Sequence, residues 1–231
     1  MMESPSSERG RQARLVQVAA GALELAGDLS IPQNARGIVL LAQGSKHIEP
    51  LSSYSLLADA LYEAELATLL VHLLTEDEEQ LDGETQFFRF NVSILYQRII
   101  GISNWLTVNL ETQNLTIGYF GSGATGAAAL IAAAERPDLV YAIVVGEGRI
   151  DLARPYLTRV AAPTLLMVRD NDSAAQQMNR EALQQMPMAS ETNKKVESIA
   201  SSAGLFEASD ALKQVAELTS QWFAQHLEPI V

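Results

Sequence analysis

From Gly37 onward, apolar runs of strand length alternate with segments whose apolar residues recur at helical spacing. Such alternation predicts the α/β class, a three-layer sandwich in which a mostly parallel twisted sheet is covered by helices on both faces. Strands are predicted at 37–42 (GIVLLA), 67–73, 116–120, 140–145, 164–168 and 195–199. Ahead of them, Leu15 to Ala19 and Ala22 to Ser30 flank Ala20-Gly21 and read as an antiparallel hairpin at a sheet edge. Helices are predicted from Tyr54 to about Glu65, from Phe87 to Val108, from Ala124 to Arg136 and from Asp210 to Leu227. Ser52 or Ser53 would cap the first, which carries Leu57, Ala60 and Leu61 on one face. Pro137 stops the third, because proline has no amide to donate and clashes with the preceding turn. In the last, Ala211, Val215, Leu218 and Trp222 make one apolar stripe. Trp222 and Trp105 are read as core residues.

Composition narrows what such a fold can do. The 231 residues hold 16 Lys plus Arg against 28 Asp plus Glu, a formal charge of −12. That balance repels phosphate backbones and anionic lipid, so neither nucleic acid nor a membrane surface is an expected partner. With no cysteine, and histidine only at His47, His72 and His226, disulfides, thiolate sites and His-rich metal motifs are excluded. No metal and no cofactor is expected. The polar start MMESPSSERG has no apolar core segment, which reads as a disordered tail over 1–12 ahead of one domain over 13–231 in a cytoplasmic protein. Thr75 to Glu84 contains six acidic side chains; without a spaced DxDxDG pattern it reads as a solvated loop, not a cation site.

The chemistry concentrates in IGYFGSGATGAAAL, Ile117 to Leu130, where a strand enters a helix through a glycine-rich turn. Three readings are open. A nucleophile elbow, G-x-S-x-G, starting at Gly121 puts Gly123 at the nucleophile position and Thr125 at the closing small position. A frame on Ser122 places bulky Phe120 where a small residue is needed, and one on Thr125 falls inside the first helical turn. Alternatively, Gly121 to Gly126 spells G-x-G-x-x-G, and Glu147, 21 positions past Gly126, stands where a ribose-binding acid would be. Finally, the glycines simply permit a tight turn.

Taken with GIVLLAQGS, ELATLLVHLLTEDEE, APTLLMVRDND and GLFEASDAL, this turn resembles the dienelactone-hydrolase-like α/β-hydrolases, in order from about Leu15 to the C-terminus. The resemblance implies the α/β-hydrolase fold with Ser, Asp and His on three loops at the carboxyl edge of the sheet. Carried over residue by residue, it puts the acid at Asp172, but Gly123 at the nucleophile and Gly204 at the base. Gln43-Gly44-Ser45 stands where relatives have His-Gly-Ser near the oxyanion hole. The implied pocket is Gln43, Gly44, Ser45, Ser122, Gly123, Ala124 and Gly204 around Asp172. Without hydroxyl and imidazole the acyl-enzyme route is closed, which predicts a pseudo-hydrolase that binds a small molecule or a protein partner. Alternatively, a hydrolase of ester or lactone bonds is rebuilt from Ser122 or Thr125, with His47 or His72 as base, His226 being read as surface. A third possibility is a phosphate or dinucleotide at Gly121–Gly126, against which stand the global acidity and the lack of an obvious Lys or Arg beside the turn. A homo-oligomer is left open.

Overall fold

A computed structural model describes residues 11–45, 51–187 and 193–228. Eight strands form one sheet: β1 (Arg14–Ala20), β2 (Leu23–Ser30), β3 (Gly37–Gln43), β4 (Ala67–His72), β5 (Thr116–Ser122), β6 (Val140–Gly146), β7 (Thr164–Arg169) and β8 (Lys194–Ile199). Their order is β1-β2-β4-β3-β5-β6-β7-β8. β1 and β2 pair antiparallel in a hairpin closed by Gly21 and Ala22, and β2 meets β4 antiparallel; every other pairing is parallel. The carboxyl ends of β3 to β8 therefore lie along one edge, the place where open parallel sheets collect ligands.

The central strands are buried on both faces, so their sequences are continuous apolar runs without polar alternation. In β3, Ile38, Leu40 and Ala42 join one core while Val39 and Leu41 join the other. The second core is closed by α1 (Leu51–Glu63) and by the C-terminal helix Ser209–His226. Opposite lie α2 (Glu76–Thr85), α3 (Val92–Val108), α4 (Gly123–Glu135), α5 (Ile150–Ala153), which runs into a 3₁₀ turn at Arg154–Arg159, and α6 (Ser173–Gln185); the C-terminal helix is α7. Residues of α3 to α6 fill the first core. No described helix is long and apolar enough to cross a membrane.

Several expectations need correction. The acidic run at Thr75 is a helix, not a loop: Thr75 and Glu78 form a reciprocal capping box that satisfies two orphan amides at its start. Two of its acids, Glu79 and Asp82, are buried. The helix expected from Phe87 begins at Val92, because Asn91 caps it and Asp82 holds the amides of Phe88 and Arg89 in a turn. α1 includes Ser52 and Ser53 instead of starting after them, and the Ser53 hydroxyl donates to the Phe206 carbonyl across the core. Trp222 is buried as expected, and Trp105, half-buried, packs against the first core. His226 is also half-buried, its Nδ1 within 2.8 Å of the Trp222 carbonyl and its ring packed on that indole. Of the tail expected over 1–12, Arg11 and Gln12 are described: Arg11 pairs with Asp59, and the Gln12 carbonyl accepts from Ser30.

Candidate functional site

The turn from β5 into α4 is built by packing. A Cβ on Gly121 would lie 2.7 Å from the Thr125 carbonyl, and one on Gly126 would lie 2.4 Å from Val145 Cγ1, so strand and helix pass too closely for any side chain at either position. Thr125 fixes the turn: its hydroxyl accepts from the Ser122 amide at 3.0 Å and donates to the Ser122 carbonyl at 2.8 Å. Gly123 is different. Its φ of +48° lies in the left-handed region, and a Cβ there would meet nothing within 4 Å. Two of the three glycines thus serve close approach, while Gly123 serves backbone conformation and faces open space.

That open space is a cavity of about 330 Å³, within the size range of small-molecule sites. The loop after β3 contributes Gln43, Gly44 and Ser45, and the turn contributes Ser122, Gly123, Ala124 and Thr125. Arg89 and Phe90 come from the segment before α3, Glu147 and Arg149 from the loop after β6. Ser122 Oγ lies 3.4 Å from the hydroxyl of buried Tyr54. The Arg149 amide donates to the Gly123 carbonyl at 2.9 Å, which ties the β6 loop to the elbow.

Of the sequence-predicted residues, Gln43, Gly44, Ser45, Ser122, Gly123 and Ala124 come together on this wall, but Asp172 and Gly204 are not part of the lining. Asp172 caps α6, accepting from the Ala175 amide at 2.9 Å, and its other oxygen lies 3.6 Å from Arg169 Nη2. Gly204 sits beside two carboxylates: its Cβ position is 3.3 Å from Glu207 and 3.5 Å from Glu147 Oε2. Glu147 itself ties three loops together. It accepts from the Leu205 amide at 2.8 Å and pairs with Arg169 Nε at 2.7 Å, and its φ of +47° is strained for a residue with a side chain. His72 ends β4 opposite Gln43, and His47 lies outside the described residues. Among the described residues no group of three or more His, Asp or Glu could hold a metal ion.

Arg89, Phe90 and Arg149 are lining residues that sequence reasoning missed. A signal existed for Arg149, which follows a parallel strand at the ligand-binding edge. Arg89 offered none, because its segment reaches the cavity by tertiary routing. Asp82 anchors Arg89, accepting from its side chain and its amide. Burial pushes the Asp82 carboxyl up, but the hydrogen bonds and charge of Arg89 outweigh it, leaving the carboxyl below its ordinary value. Arg149 holds Asp151 bidentately at 2.9 and 2.7 Å, which lowers the pKa of Asp151.

No family profile matches the sequence. A Mycobacterium tuberculosis protein provisionally named a phosphoribosyl transferase is 37% identical over 212 residues; the match takes in 92% of this chain, which spans 46% of that protein's length. The esterase domain of a Rhodothermus marinus protein superposes with a TM-score of 0.70 at 18% identity, covering 94% of this chain and 100% of that one. The structure of dienelactone hydrolase from Anabaena variabilis superposes with a TM-score of 0.88 and is 43% identical over 95% of this chain and all of that one. With that identity across a complete fold of the same class, the chain belongs to the dienelactone-hydrolase-like family of α/β-hydrolases.

Proposed function

We propose that this chain is a non-catalytic member of its family, a pseudo-hydrolase that uses the cavity at the elbow to bind a small molecule. One observation carries the reading: the apex of the elbow faces the cavity at Gly123, where a nucleophile would need a side chain and there is only hydrogen. Two further features support it. Thr125 spends its hydroxyl on both backbone groups of Ser122. Asp172 is engaged with an amide and with Arg169, and a histidine at 204 would have to enter between Glu147 and Glu207. A hydroxyl or thiol nucleophile and a positioned base supply most of the rate in acyl transfer, so oxyanion donors alone give little turnover. The phosphoribosyl transferase name belongs to a protein of which this chain matches less than half.

The test is hydrolysis of p-nitrophenyl acetate and small lactones by the purified protein. We expect no rate above the buffer blank. Turnover that disappears in Ser122→Ala or Thr125→Ala would overturn the proposal in favour of a rebuilt hydrolase.

A further inference from the structure

Around Gly123 the cavity offers space for a tetrahedral group and, in a chain of net charge −12, two guanidinium groups from separate segments. Both are held in place from outside. Asp82 takes Nε of Arg89, and its carbonyl takes Nη2; Asp151 takes Nε and Nη2 of Arg149. In each case Nη1 is left without a partner among the described residues. The charges on the wall are all ion-paired, Arg89 with Asp82, Arg149 with Asp151 and the carboxylate of Glu147 with Arg169, so an incoming anion meets N–H donors and no unpaired carboxylate. The first turn of α4, a helix of 13 residues, adds its amides at Gly123 and Ala124. Phe90, 52% exposed, supplies an apolar wall at the mouth.

We infer that this cavity binds an organic phosphate monoester, its phosphoryl group over Gly123 between Arg149 and Arg89 and its organic group against Phe90. Donors approach from three elements: the α4 turn, the β6 loop and the segment before α3. A tetrahedral phosphoryl group can present an oxygen to each at once, whereas a carboxylate offers two oxygens in one plane. The missing side chain at Gly123 makes the room, since a hydroxymethyl there would project into the space the phosphoryl group takes. The inference rests on the non-catalytic reading of the site, in which the ester is held and not cleaved.

Isothermal titration calorimetry with phenyl phosphate, inorganic phosphate and benzoate at matched ionic strength tests it. The expected result is binding of phenyl phosphate at least about tenfold tighter than of benzoate or inorganic phosphate, and at least about tenfold weaker in Arg149→Met. Because the Arg149 side chain pairs, among the described residues, only with exposed Asp151, that variant should unfold within a few degrees of the parent protein, which separates lost binding from lost fold. Absent binding of phenyl phosphate, equal affinity for benzoate or for inorganic phosphate, or indifference to Arg149→Met would each overturn the inference. Hydrolysis of p-nitrophenyl acetate that disappears in Ser122→Ala or Thr125→Ala would instead overturn the non-catalytic reading, and the two failures are read by separate instruments on the same protein.

Discussion

Gly123 and Gly126 are three positions apart, and substitution at each should fail for a different reason. At Gly123 there is room but the backbone has φ of +48°, so Gly123→Ala and Gly123→Ser should lose similar amounts of stability, about 1–3 kcal/mol. For a chain of this size that lowers Tm by roughly 2 to 12 °C. Gly126→Ala meets Val145 Cγ1 at 2.4 Å inside a buried strand, a clash that Val145 cannot relieve by rotating into free space. Thermal denaturation of the three variants separates the causes: Gly123→Ser should fall with Gly123→Ala, and an unchanged or raised Tm in Gly123→Ser would remove the elbow assignment. The same comparison bears on what could be read beforehand. The spacing of glycines placed Gly123 at the apex, but spacing alone left a dinucleotide fingerprint equally open. The missing Cβ atoms differ in direction: one would meet the Thr125 backbone, one the Val145 side chain, and one, at Gly123, open space.

At the scale of the element, α2 shows how charge replaces apolar burial. Leu81 is its only large apolar residue and is half exposed, so the helix is held by its capping box and by two carboxylate contacts to arginines. Glu78 receives Arg98 Nη1 and Nη2 at 2.7 and 2.6 Å, and Asp82 receives Arg89. Burial raises both carboxyls, yet these hydrogen bonds and charges leave each below its ordinary value. A folded-state pKa below the unfolded one gives stability that is present above about pH 4 and lost as pH falls through the folded value. Asp82→Ala should therefore cost about 1.5–3 kcal/mol at neutral pH and flatten the dependence of Tm on pH below about pH 4. A thermal melt series across that range checks it; an unaltered acid limb would mean that other carboxylates set the transition. Hydrophobic periodicity could not find α2, because there is almost no apolar stripe to detect. The Thr75 and Glu78 spacing was the available signal, a capping box hidden inside a run of acids. α6 was missed for a related reason, its helical spacing being carried mostly by Gln, Asn and Ala. By contrast β3 to β7 were legible because strands buried on both faces are nearly continuous apolar runs.

For the whole molecule, the sign of the salt response follows from counting. Several arginines already sit in exposed ion pairs, among them Arg136 with Asp138, Arg149 with Asp151 and Arg159 with Glu135. Added salt weakens such pairs, which contribute little to stability at a solvated surface. Yet even if all 16 Lys and Arg were paired, 12 of the 28 acids would remain unbalanced. Their mutual repulsion acts over tens of ångströms, and raising ionic strength from about 0.01 to about 0.1 M shortens its reach from about 30 to about 10 Å. Contacts below 3 Å are screened less over the same interval than charges spread across the surface. Sodium chloride should accordingly raise Tm through this range, with most of the gain at the low end. Phenyl phosphate at the same ionic strength should raise it further, since a ligand bound only by the folded state stabilises it in proportion to the logarithm of its concentration over Kd. That additional rise should shrink in Arg149→Met while the chloride response persists, because the first depends on the donors of the cavity and the second on the charge of the entire surface. A Tm that falls with sodium chloride would mean that the exposed pairs outweigh the net repulsion.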